Sequence, residues 1–273
     1  MWYSFSMKSK KSTNKPITIQ SLLKWNKSMA VLHAIQAIAV IALSKAVTWP
    51  ITTTFISQDT LASEIAGKPI LAMSTRTIFN INLGYVIASF FIVSAIAHTI
   101  IATVYRNKYE SDLKKGINKA RWIEYGISAS IMMVAIGLLS GISDISTIVA
   151  IFALDLIMNL MGLAMELQNQ GEKKVKWFTY WVGCLAGIVP WIIFAIYVTG
   201  TNVYGSGEIP TFVYFIFGSL FLFFNSFAIN MYLQYKKVGK WSNYLYGERT
   251  YMILSLVAKS LLAWQVFSGT LRP

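Results

Sequence analysis

The sequence predicts an all-α membrane protein, a bundle of seven transmembrane helices with its N-terminus cytoplasmic and its C-terminus outside. Three observations predict it. Hydrophobic residues make up 55% of the 273 and charged residues only 13%, and the mean hydropathy is +0.54, far from the usage of a water-soluble domain. Seven apolar stretches are each long enough to cross about 30 Å of hydrocarbon. Nineteen of the 23 basic residues in loops and tails fall on the side of the N-terminus, which the excess of Lys and Arg in cytoplasmic loops marks as the inside.

The first span, Met29 to Val47, follows a basic segment, residues 1–28, that carries Lys8, Lys10, Lys11, Lys15, Lys24 and Lys27. That segment is too long for the charged end of an ordinary secretion signal, so the span reads as an uncleaved helix. The outside loop 48–77 contains Trp49-Pro50, a β-branched run from Ile51 to Ile56, Gly67 and Lys68-Pro69, the signature of a small β-hairpin. The second span, Phe79 to Val104, stops before Arg106, Lys108, Lys114, Lys115 and Lys119. The third, Trp122 to Ile142, and the fourth, Ile145 to Leu167, are joined by Ser143 and Asp144 alone, which forces them to be antiparallel neighbours. Lys173, Lys174 and Lys176 precede the fifth span, Trp177 to Thr199; the sixth runs from Pro210 to Tyr235 and the seventh, after Lys236, Lys237, Lys240 and Arg249, from Thr250 to Gly269. One domain, 1–273, accounts for the chain, and no inverted internal repeat of the transporter kind is visible.

The net charge of +13 is segregated by loop, which points to a membrane lipid surface and not to nucleic acid. Cys184 is the only cysteine and sits in an apolar run, where a buried, inert thiol is expected and no intrachain disulfide can form. Phosphate-binding glycine loops, paired cysteines at metal spacing and nucleophile elbows are all missing, so an enzyme is not expected.

Polar residues inside the spans carry what chemistry there is. Lys259 is the only basic residue in the run Tyr251 to Leu271. It lies about nine residues, roughly 13 Å, from either end, and a stem of about 6 Å cannot lift its ammonium to the interface. Such a lysine is paired, neutralised or chemically used, and formation of a Schiff base with a carbonyl ligand is one such use. Its anion is Glu124 on the third span, three residues after Arg121 and able to share a helix face with it, or else Asp155 or Glu166 on the fourth. The histidines, His33 and His98, fall at matching depth four to six residues from the cytoplasmic ends of adjacent spans; singly each is as well explained as core, but together with Glu124 they point to a polar pocket. A metal site is disfavoured because no cysteine and only one carboxylate would join them. Ser255 lies one turn from Lys259, where it either bonds the lysine or its counterion or back-bonds to its own helix. Tyr125, Trp191, Phe223, Phe224 and Trp264 serve equally as bundle packing and as the lining a long conjugated ligand needs.

The run Ser255-Leu256-Val257-Ala258-Lys259-Ser260-Leu261-Leu262-Ala263-Trp264-Gln265-Val266-Phe267 resembles the seventh helix of heliorhodopsins, and Arg121-Trp122-Ile123-Glu124-Tyr125 resembles their third. The likeness extends to His33 and Gln36, Ser94 and His98, Glu166, and Pro190-Trp191, and it agrees with the inferred N-inside orientation, which is inverted relative to ordinary microbial rhodopsins. Where the usual microbial seventh helix has an aspartate, this chain has Ser255; helix 6 offers Phe224-Asn225 in place of the pumps' tryptophan and proline; and Asp155 stands where an asparagine is expected. The resemblance implies all-trans retinal on Lys259 with Glu124 as counterion, in a pocket that Ser255, Tyr125, Ser128, Met132, Trp191 and Phe224 complete. It implies a proton-accepting cluster of His33, His98, Ser94, Arg121 and Glu166, and a homodimer in which the long first outside loop takes part. The function then expected is a cell-membrane light sensor that signals to a cytoplasmic partner without pumping ions. A light-gated ion or proton channel is the alternative, and a colourless transporter or scaffold is the reading without a chromophore.

Overall fold

The computed structural model describes residues 17–205 and 209–273; Lys8, Lys10, Lys11 and Lys15 of the basic segment lie outside them. In chain order the elements are α1 (Ile19–Leu43), β1 (Thr48–Gln58), α2 (Thr60–Ala66), β2 (Leu71–Asn82), α3 (Leu83–Ala102), α4 (Arg106–Lys114), α5 (Lys119–Leu139), α6 (Ile145–Gln168), α7 (Phe178–Tyr204), α8 (Thr211–Tyr235) and α9 (Tyr244–Val266), the last running into a π turn, Phe267–Leu271. Seven of these, α1, α3 and α5 to α9, are long and apolar enough to cross a membrane. They pack in sequence, α1 on α3, α3 on α5, α5 on α6, α6 on α7 and α8 on α9, with α9 closing back on α1.

The helices begin and end where local chemistry directs, which shifts several expected boundaries. A capping box of Thr18 and Ser21 starts α1 ten residues before the expected Met29, so residues from Ile19 to Ser28 are helix and not tail. Hydropathy missed this turn because Lys24 and Lys27 dilute it, although Leu22, Leu23 and Asn26 are buried. Phe79 to Ile81, expected to open the second span, belong to β2, in keeping with the apolar-polar alternation Phe79-Asn80-Ile81-Asn82, and Asn82 caps α3. Residues Tyr244 to Arg249 extend α9 beyond the expected Thr250, from an Asn243 cap. The α5–α6 turn is Ser140 to Asp144, longer than the expected two residues, and Gly141 enters it at φ 87°, a backbone conformation that suits glycine.

β1 and β2 form an antiparallel hairpin from Thr48↔Asn82 to Gln58↔Leu71, with a bulge at Ile51/Thr52 and α2 at its tip. It is tied to the bundle by main chain: Thr52 N–H donates to Ser143 O at 2.8 Å, Leu83 N–H to Val47 O at 2.9 Å, and Lys45 N–H to Leu271 O at 2.8 Å. The interior beneath this hairpin end is apolar, built on Ile87, Phe90, Phe91, Ile136, Leu138, Phe194, Leu262 and Val266. The opposite end, which α4 covers, is different. Apart from Ser63 and Ser140, every buried polar or charged side chain among the described residues lies level with Lys259 and its surroundings or nearer that opposite end.

Candidate functional site

Lys259 is two-thirds of the way along α9 and only 2% exposed. A buried ammonium needs a partner, and it has two: Nζ donates to Glu124 Oε1 at 3.2 Å and to Ser255 Oγ, one turn back on the same helix, at 2.7 Å. Glu124 is held in turn by Ser94 Oγ of α3 at 2.6 Å and by Ser128 Oγ of its own helix at 2.7 Å, both donating to the same Oε1. Three helices therefore meet at one carboxylate oxygen. The Tyr125 ring lies 5.2 Å from Nζ, and its hydroxyl donates to Tyr251 O at 2.8 Å.

From Lys259 a mainly apolar cavity runs between α5, α6, α7 and α8. Tyr125, Met132, Trp191, Phe224 and Ser255 line it, as does Phe223; Ser128 does not, acting on Glu124 instead. Trp264, expected among the lining residues, is a correction: its indole N–H donates to Gln36 Oε1 at 3.2 Å, on the other side of α9. Cys184, expected to be buried, is half-buried in the cavity wall. Gly162 lets the wall form, because a Cβ there would overlap the Trp122 ring laid across it. Four buried polar atoms of the wall, Trp122 Nε1, Trp191 Nε1, Tyr251 OH and Asp155 Oδ1, have no hydrogen-bond partner. Asp155 Oδ2 accepts from Ser130 at 3.2 Å and Asn159 at 3.1 Å, and Asp155 forms no ion pair with Lys259.

The residues grouped with the histidines separate into two sets. His33 and His98 stack with ring centroids 5.6 Å apart and planes 8° from parallel, between α1 and α3. With α1 starting early, His33 sits mid-span and not four to six residues from the helix end. Arg121 and Glu166 belong elsewhere. The three-residue spacing allowed Arg121 to share a face with Glu124, but its guanidinium pairs with Glu166 at 2.6 Å and with Glu248, at the ends of α5, α6 and α9. Asn118 joins both carboxylates, through its N–H to Glu166 at 2.8 Å and its side-chain amide to Glu248 at 2.6 Å, and Tyr244 OH donates to Glu166 at 3.2 Å. The guanidinium also sits in the corner made by the rings of Trp122, at 4.4 Å, and Tyr251, at 4.0 Å, which are themselves walls of the cavity. Sequence reasoning missed Glu248, Asn118 and Tyr244. The signal that could have found Glu248 is its spacing of seven residues from Ser255 and eleven from Lys259, two and three helical turns, on the buried face of α9.

Two solved structures share this fold. Cyanorhodopsin N4075R from the cyanobacterium Tolypothrix sp. NIES-4075 is 13% identical, with 92% of each chain covered and a TM-score of 0.56. The light-driven proton pump rhodopsin of Coccomyxa subellipsoidea is 19% identical, covering 90% of this chain and 96% of that one, with a TM-score of 0.59. No curated protein matches. A model of the heliorhodopsin family matches residues 22–271, nearly the whole described chain, including Lys259 and Glu124. The chain therefore belongs to the heliorhodopsin family, membrane proteins of the retinal photoreceptor type.

Proposed function

We propose that the protein is a light sensor of the cell membrane, N-terminus inside, that passes a conformational signal to a cytoplasmic partner without net ion transport. One observation carries the reading: the one deeply buried lysine among the described residues is already paired with a carboxylate and opens on a mainly apolar, aromatic-walled cavity. The wall fits the retinal that the family implies, being mainly apolar and aromatic and presenting an amine at Lys259. All-trans retinal bound to Lys259 supplies absorption of visible light and a change of shape. Glu124 neutralises the charge at Nζ and, held by Ser94 and Ser128, keeps its Oε1 aimed there.

The distribution of polar side chains supports retention of the proton. Toward the hairpin end the buried interior is apolar, whereas Glu124, Ser94, His98 and His33 lie level with Lys259 or on its other side. A proton leaving Nζ passes to Glu124 and the histidine pair and returns by the same route. Arg121, packed on two cavity walls and bound to Glu166 and Glu248, supports transmission to the ends of α5, α6 and α9. Ile56, Leu71 and Met73 are exposed on one face of the hairpin and supply an apolar surface for a homodimer contact.

The test is an illuminated suspension of cells that carry the retinal-loaded protein. No lasting pH change is expected, while a tag on Pro273 is reached from outside intact cells and a tag on Met1 is not. A sustained pH change abolished by a protonophore, or photocurrents under voltage clamp, would favour the channel and overturn this reading. Glu124→Gln removes the charge paired with Lys259 and is expected to move the visible band markedly; Asp155→Asn, which breaks no ion pair, is expected to move it far less. The reverse order of shifts would make Asp155 the counterion.

A further inference from the structure

Asn26 lies on α1, 2% exposed, in the stretch that hydropathy assigns to the tail. Its amide nitrogen is 2.9 Å from Leu22 O and 3.3 Å from Tyr109 OH, and its Oδ1 is 2.7 Å from His98 Nδ1. A backbone carbonyl only accepts, so the atom against Leu22 O must be the donor, Nδ2. Oδ1 is then the atom that faces His98, and an amide oxygen also only accepts. His98 Nδ1 must therefore carry a hydrogen, and in the neutral ring Nε2 carries none.

Tyr109 makes this arrangement rigid. It is 2% exposed on the inward face of α4, with Asp112 and Leu113, so that Asn26 is fixed from α1 through Leu22 O and from α4 through the tyrosine hydroxyl. Neither ring nitrogen of His33, stacked alongside, has a hydrogen-bond partner, so nothing comparable sets its tautomer.

We infer that Asn26, backed by Tyr109, is a positioning residue that locks His98 with its hydrogen on Nδ1 and so makes Nε2 the atom that receives the proton in the light reaction. The part concerning proton receipt rests on the proposed photoreceptor function; the tautomer does not. When Nε2 gains a proton the Nδ1–H bond to Asn26 needs no rearrangement, and it strengthens because its donor becomes charged. The balance is simple: an N–H bond forms at Nε2, and the proton comes from the Lys259 side through Glu124. A bare Nδ1 against Oδ1 would instead place two acceptors 2.7 Å apart.

The test uses the full chain with retinal in lipid nanodiscs, labelled with ¹⁵N at histidine. The sequence has only His33 and His98, so a His33→Gln variant assigns the two rings. In the dark, His98 is expected to show a protonated Nδ1 and an unprotonated Nε2. Asn26→Leu is expected to release this preference and to slow protonation of His98 after a flash by about fivefold or more, the effect of one buried hydrogen bond. Tyr109→Phe keeps the ring packing and removes only the hydroxyl anchor; a partial release is expected, which a purely packing role would not give. It also serves if Asn26→Leu fails to fold. A dark wild-type spectrum with the hydrogen on Nε2 overturns the inference. If the dark tautomer is as stated but illumination never protonates either ring, the role of Nε2 falls together with the proposed proton route, and the tautomer assignment stands.

Discussion

Lys259→Ala is expected to fold, reach the membrane and remain colourless with added retinal. The other lysines on the transmembrane helices are not buried, Lys24 and Lys27 being exposed on α1 and Lys119 opening α5, so none replaces a buried amine that opens on the cavity. Alanine keeps the helix, and its effect on the fold is limited because Ser94 and Ser128 still donate to Glu124, which is free to take a proton once its cation is gone. Loss of the visible band should be complete. Absorption spectra of the purified variant beside the wild type decide it, and any retained visible band would refute attachment at Lys259.

The largest stability effect is expected at Arg121. Replacing it by Met leaves Glu166 and Glu248, 3% and 1% exposed, facing one another without a cation. Breaking a buried ion pair from one side costs about 3–5 kcal/mol, and here one substitution breaks two. Thermal bleaching of the retinal-loaded protein should therefore begin well below the wild-type temperature. Adding Glu248→Gln to the same chain removes one of the stranded charges and is expected to recover part of the loss. Arg121→Lys should recover less than its charge implies, because a lysine cannot span two carboxylates and pack against both Trp122 and Tyr251 at once. Equal stability of Arg121→Met and wild type would mean that the carboxylates are already neutral and the triad is not ionic.

The seven spans and the Lys259–Glu124 pair were legible because both depend on properties that a single segment carries: summed hydropathy, and a charge too deep to reach water. The Arg121 triad was not. Its members are separated by 45 and 127 residues, and each alone resembles an ordinary interfacial charge at a helix end. The local rule that residues three apart share a face was correct as geometry and misleading as pairing, since Ser94, Ser128 and Lys259 claim Glu124 and two distant carboxylates claim Arg121. Asn26 was lost for a related reason. Flanked by Trp25 and Lys27, it reads as a polar tail until α4 folds Tyr109 over it. Strand β2 was misread at Phe79 to Ile81 because Phe79 and Ile81 were counted with the apolar run of α3, although Asn80 and Asn82 alternate with them and Asn82 caps the helix.

The main-chain ties at the hairpin end have a mechanical consequence. Thr52 to Ser143 clamps β1 onto the α5–α6 turn, and Lys45 to Leu271 clamps the end of α1 onto the end of α9, so these helix ends cannot spread without breaking backbone bonds. Among the described residues, the hydrogen bonds between spans at the other end each involve at least one side chain, as Asn118 N–H to Glu166 and Tyr235 OH to Met165 O do. Like a fork gripped at its handle, the bundle is freer at its tines: in the light sensor proposed above, a push delivered in the middle, at the cavity walls, would be carried as displacement to the ends of α5, α6 and α9, with Arg121 as the catch to be released.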